Sequence, residues 1–166
     1  MDLHRMLGIL ILCTGAVTSI TVSAQSSREQ NTRAIKPYLN ARSISTLEWE
    51  LLQFNLTWQG MFVGSANYVT SFPVIFDPKA MRFRATFSVQ DKREYNDPEP
   101  FFRLPKPQRE SILQGVVDQL VEFLAQSFPE AKNNRGLVYA EFWFRSPSGG
   151  RSVVARYENG MLSYSE

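Results

Sequence analysis

The chain has 166 residues, 18 Lys and Arg against 16 Asp and Glu, and a net charge of +2. That is room for one domain with its own core, and far from the basic load of a dedicated nucleic-acid binder. It holds one cysteine and one histidine, Cys13 and His4, both near the start of the chain.

The opening segment reads MDLHRMLGILILCTGAVTSITVSAQSS. His4 and Arg5 form a short polar lead, Met6 to Val17 an apolar run, and Val22, Ser23 and Ala24 a small-residue exit. This is the plan of a secretory signal peptide, residues 1–24, with cleavage after Ala24. Thr14, Thr18, Ser19, Thr21 and Ser23 interrupt the run well short of the ~20 apolar residues that a membrane span needs, so no transmembrane segment is expected after cleavage. Leu12 stands before Cys13, where lipid attachment would call for a small residue. The expected location is therefore outside the cytoplasm, in the periplasm or beyond. Cleavage removes Cys13 and His4, which leaves no disulfide, no thiol nucleophile and no imidazole base. Ser-His-Asp and Cys-His mechanisms are thereby excluded, as is a zinc site of ordinary ligands. No cofactor is expected, and a chelator should leave the melting temperature of the mature protein where it was.

Residues 25–43 are polar and lack sustained periodicity, which reads as a flexible tail ahead of a single domain over 44–166. From Leu52 to Gln59 the sequence alternates strictly, with Leu52, Phe54, Leu56 and Trp58 on one side, and this predicts a half-buried strand. A helix competes for the same residues, because Leu47, Leu51, Phe54 and Trp58 fit its spacing and Ser45 with Glu48 could form a capping box. The strand is preferred, since Gly60 and Gly64 and the β-forming SANYVTSF complete a hairpin. Pro73 marks the end of that second strand as an edge or a bulge. Asn55-Leu56-Thr57 is a glycosylation acceptor only in a eukaryotic secretory path.

MRFRATFSVQ, 81–90, predicts a strand with Met81, Phe83, Ala85, Phe87 and Val89 facing inward and Arg82, Arg84, Thr86 and Ser88 outward. The proline-rich 94–111, EYNDPEPFFRLPKPQRES, forbids a regular strand or helix interior yet carries Phe101 and Phe102. Pro107 and Glu110 are chemistry for the start of a helix, with Ser111 as a further cap. One of the two phenylalanines is expected to plug the core and the other to stand at the rim. From Ser111 to Phe128 an apolar face (Leu113, Val116, Val117, Leu120, Val121, Leu124) opposes a polar one (Gln114, Asp118, Gln119, Glu122), which predicts a long amphipathic helix ended by Pro129. Strands follow at 137–145, 151–157 and from Met161, with SPSGG and ENG as turns. The fold class is α+β: an antiparallel sheet of about six strands, covered on its inner face by one long helix through Phe83, Phe87, Phe142 and Phe144.

Phe54, Leu56, Trp58, Gly60, Val63, Gly64 and Ala66 form a short motif that resembles the opening hairpin of exported bacterial envelope β-proteins. Proteins of that kind are similar in architecture to lipoprotein carriers, in which a curved sheet cups an apolar cargo against a helix. The resemblance implies a β-hairpin at 54–66 and an apolar cargo.

The remaining chemistry is carried by three constellations. The carboxylate pairs Glu48/Glu50, Asp97/Glu99 and Asp118/Glu122 can do acid–base work only if one member is desolvated. Arg82, Arg84, Arg145, Arg151 and Arg156 lie on or beside strands. They form either a basic patch for an anionic partner or cross-strand pairs with Glu141 and Glu158. The strand at 137–145 is apolar on both faces, so Tyr139 and Trp143 are either covered or line a contact surface. The expectation is a non-enzymatic exported protein that binds or chaperones an apolar or amphipathic partner, an envelope lipid, lipoprotein or protein. Trp58, Phe101, Phe102, Tyr139 and Trp143 would make contact and Arg82 and Arg84 would orient an anionic end. The alternative is a structural or assembly component that docks another envelope protein. A small hydrolase using carboxylates alone comes last.

Overall fold

The computed structural model describes residues 25–40, 43–61, 68–90, 98–146 and 148–165. The signal-peptide segment, Gly64 and Asp97 lie outside these residues. The fold is α+β, helices with a six-stranded sheet.

The expected tail is a helix, α1, over residues 25–40. Asn31, Ile35 and Tyr38 share one helical face and are all buried. Their few apolar atoms gave too weak a periodicity to read against the polar surroundings. The Asn31 amide donates to the Gly136 carbonyl at 3.0 Å and accepts from Asn134 at 3.2 Å. A side chain at Gly136 would put its Cβ 2.9 Å from Asn31 Oδ1, so it would push the Asn31 amide out of this junction. The Tyr38 ring meets Phe128 edge-on at 5.7 Å, and its hydroxyl donates to Glu50.

The predicted strand at 52–59 is also a helix, α2, Ile44–Met61. Its cap is Ser43 rather than Ser45: Ser43 Oγ accepts from the Thr46 amide at 3.2 Å. The alternation was two helical pairs interleaved. Phe54 and Trp58, four apart, are buried with Leu47 and Leu51, while Leu52 and Leu56, also four apart, point to solvent. An apolar stripe on each side of a helix mimics the period of a strand. Asn55 ties α2 to the sheet edge, its amide donating to and accepting from Val74 at 2.7 Å each. That use of the side chain leaves the glycosylation reading of Asn55 without a free amide.

The strands are β1 (Val69–Ser71), β2 (Ile75–Asp77), β3 (Arg82–Val89), β4 (Val138–Arg145), β5 (Arg151–Glu158) and β6 (Met161–Tyr164). Their order is β1-β3-β4-β5-β6, with β2 also on β3. The sheet is mixed, not antiparallel throughout: β3 and β4 run parallel, Phe83 opposite Val138 and Phe87 opposite Phe142. Parallel neighbours need a long crossover, and the helical connection between them supplies it. That connection holds α3 (Glu99–Phe102), α4 (Lys106–Ser127) and α5 (Glu130–Asn133). The β5–β6 turn has Asn159 at φ 52° and Gly160 at φ 84°, the conformation that an Asn-Gly hairpin favours.

The helix α4 begins five residues before Ser111, with Pro105 as its cap and Pro107 in its first turn. The core lies between α4 and the sheet. Leu113, Val117, Leu120 and Leu124 are fully buried, as are Phe83, Phe87 and Phe142; Phe87 and Phe142 stack at 4.9 Å and Phe144 is partly buried. Each buried aliphatic contributes ~1.5–3 kcal/mol gross, more than the ~1 kcal/mol cost of the helical Gly115. Among the described residues no helix is long and apolar enough to cross a membrane.

Candidate functional site

The two prolines of the Leu104–Pro107 corner set α3 and the start of α4 against the ends of β4, β5 and β6. Phe101 and Phe102 stand there in a short helix, not in an extended segment. Phe101 is fully buried and Phe102 half-buried, their rings T-shaped at 5.5 Å. The division into plug and rim is the expected one, though a helical turn produces it.

Phe101 and Phe102 form one wall of a cleft of about 520 Å³, with Leu113 of α4, Phe144 of β4, Val154 of β5 and Tyr164 of β6 as further apolar lining. Phe102 meets Phe144 edge-on at 5.0 Å. A bulge opposite Phe142 and Trp143 leaves Val154 without a partner in the β4–β5 register and turns it into this space. Lys106, Arg109 and Glu110 supply the charged part of the lining, beside Ser152, Val153 and Ser165. The guanidinium of Arg109 lies 5.8 Å from the Phe102 ring centroid, and its Nε is buried with no hydrogen-bond partner among the described residues. Lys106 faces Glu110 at 3.8 Å. The Tyr164 hydroxyl donates to the Glu110 carbonyl at 3.2 Å. Burial, and then the nearby Glu110 charge, push its pKa up to about 12.

The other predicted contact residues stand elsewhere. Trp58 is in the core: its ring stacks with Phe54 at 6.1 Å, and its indole N–H donates to Ser71 Oγ at 2.8 Å. It presents no surface to a partner: the hairpin whose apolar side was to meet a cargo is a helix, and that helix packs Trp58 into the core. Arg82, Arg84, Tyr139 and Trp143 share the outer face of the sheet, opposite α4. There three of the arginines are paired with Glu141 and Glu158. Arg82 pairs with Glu158, Arg151 with Glu141 at 2.6 Å and Arg156 with Glu141 at 3.4 Å. Arg84, opposite Tyr139 in the register, has no carboxylate partner among the described residues. The outer rings of β4 are roofed by guanidinium groups, Arg82 4.2 Å above Tyr139 and Arg151 4.6 Å above Trp143. That arrangement explains how a central strand is apolar on both faces.

Burial by itself raises the Glu141 pKa. Hydrogen bonds from Tyr139 and Arg156 and the charges of Arg151 and Arg156 together outweigh it, and the carboxyl is held below its ordinary value. A depressed carboxylate pKa stabilises the fold above the unfolded value, and that stabilisation is lost as pH falls through the folded value. Glu141→Gln should therefore cost about 1–3 kcal/mol at neutral pH, because it strips two arginines of their partner. Part of the acid sensitivity of melting should vanish with it. Thermal melts of parent and variant from pH 7 down to pH 3 check both effects; coincident curves would refute both, and parallel displaced curves would refute the second.

Asp118 and Glu122 line a polar groove of about 510 Å³ with Lys132, Arg135 and Tyr157. Both carboxylates are exposed, so neither has the desolvation that acid–base work requires. Among the described residues no three His, Cys, Asp or Glu stand together as metal ligands. The sequence reading missed Lys106, Arg109 and Tyr164. Lys106 and Arg109 are three apart on one face of α4, a spacing that was legible; the nearness of Tyr164 depends on the sheet.

Comparison with family models, with curated proteins and with solved structures gives no match. The resemblance at residues 54–66 therefore rests on its motif residues alone, and Phe54, Leu56 and Trp58 lie on α2 rather than on the strand of a hairpin.

Proposed function

We propose that the chain is a non-enzymatic exported protein of the cell envelope that binds or chaperones an amphipathic partner at the Phe101–Phe102 cleft. The tail of the ligand lies against Phe101, Phe102, Leu113, Phe144 and Val154, and its anionic head meets Arg109 and Lys106. One observation carries this reading: an apolar cleft of about 520 Å³ contains a guanidinium whose buried Nε has no partner among the described residues. A buried unpaired donor is costly, and a carboxylate or phosphate oxygen removes that cost with a charge-assisted hydrogen bond. The volume falls in the range of small-molecule sites, ~300–1,000 Å³. The apolar signal-like segment of the first 24 residues supports export.

Titration with laurate by calorimetry tests the reading. Laurate should bind, dodecanol should bind at least tenfold more weakly, and Arg109→Gln should remove that preference; tenfold is about 1.4 kcal/mol, the scale of one charge-assisted bond. Equal binding of acid and alcohol, or no binding of either, would contradict it. The outer face of the sheet favours a second reading, a component that docks an acidic envelope partner through its arginines.

A further inference from the structure

At the far end of the outer sheet face, the β4–β5 hairpin sets Arg145 directly opposite Arg151. Like charges facing across a strand pair destabilise a sheet, so such a pair calls for an anion. Arg151 has Glu141. Arg145 is exposed, and among the described residues no carboxylate pairs with it. Both arginines line a groove of about 370 Å³, together with Phe72, Trp143, Thr70, Ser88 and Gln90, and among the described residues no carboxylate lines it.

The rest of the lining narrows the class of anion. Phe72 is exposed and stacks on Trp143 at 5.8 Å with the rings 27° apart. Arg151 already covers Trp143, so Phe72 offers the free aromatic surface. Hydroxyls of Thr70 and Ser88 and the amide of Gln90 lie beside it, Gln90 Nε2 donating to Thr70 Oγ1 at 2.7 Å. The indole N–H of Trp143 is buried with no partner among the described residues. A ring platform flanked by hydroxyl and amide groups suits a sugar ring, which has apolar C–H faces and an edge of hydroxyls. The facing arginines suit a carboxylate or phosphate on that sugar. A plain acidic peptide would use the arginines and leave the platform idle.

We propose that the groove between Arg145, Arg151 and Phe72 is a second binding site, and that it takes an acidic saccharide, a sugar bearing a uronate or a phosphate. It is distinct from the Phe101–Phe102 cleft, so either site can fail without the other. Calorimetric titration with oligogalacturonate, its methyl ester and polyglutamate of equal charge tests it. Oligogalacturonate should bind. The ester should bind at least tenfold more weakly, and so should polyglutamate, since one charge-assisted pair or one stacked ring is worth about a factor of ten. Arg145→Gln and Phe72→Ala should each weaken oligogalacturonate binding about tenfold. Arg103→Gln, on the exposed turn after α3, should leave it unchanged. Arg145 and Phe72 are exposed, so both variants should keep the parental melting temperature and lost binding reports the site. Equal binding of the ester, equal binding of polyglutamate, or full affinity in Arg145→Gln would each overturn the proposal.

Discussion

Val117→Asp should abolish the cooperative unfolding transition. Val117 is fully buried on the face of α4 that packs on the sheet, among Leu113, Leu120 and Leu124. The substitution forfeits ~1.5–3 kcal/mol of aliphatic burial. It also strands a carboxylate among the buried apolar side chains of α4, at several kcal/mol more. A loss above about 5 kcal/mol is a third or more of the ~5–15 kcal/mol that holds an ordinary domain folded. The neighbouring Asp118 is exposed, so Asp118→Ala should stay within about 0.5 kcal/mol of the parent. Circular dichroism melts of the two variants make the comparison. A cooperative melt of Val117→Asp near the parental temperature would show that α4 does not pack as described.

Phe101→Ala should cost about 3–5 kcal/mol, the usual loss for a buried phenylalanine. Phe101 is fully buried against Tyr68 and Phe102 and also forms a wall of the cleft. The ring is therefore structural and ligand-facing at once, and its removal enlarges the cleft. Saturating laurate should raise the melting temperature of this variant at least as far as it raises the parent, because the space left by the ring can be filled by the tail. Arg109→Gln should show the reverse pattern, a parental melt with the shift lost. A Phe101→Ala variant that melts within about 2 °C of the parent would contradict the plug.

How much of the fold was legible in the sequence depends on how far each signal reaches along the chain. The strand at 82–89 and the helix that becomes α4 show their periods within a single window, and both form. The pairing of Arg151 and Arg156 with Glu141 was legible as well, since β4 and β5 form a hairpin, whereas Arg82 reaches Glu158 across the intervening β4. Leu52, Phe54, Leu56 and Trp58 misled because α2 is apolar on two sides, and the error carried Trp58 from the core to a supposed contact surface. In α1 only Asn31, Ile35 and Tyr38 are buried, and their partners Gly136, Asn134 and Phe128 lie far along the chain. The parallel pairing of β3 with β4 was equally out of reach, because no local feature records which strands become neighbours. For the same reason Phe101 and Phe102 were identifiable as functional candidates, whereas their cleft partners Tyr164 and Val154 were not.

The proposed amphipathic ligand of the Phe101–Phe102 cleft would travel with the protein through a gentle purification. Native mass spectrometry of the protein purified without detergent from its source cells tests this most directly. A bound species of amphiphile mass should be retained by the parent and by Arg145→Gln and lost from Arg109→Gln. A bare mass for the parent, or an adduct that survives Arg109→Gln undiminished, would contradict it.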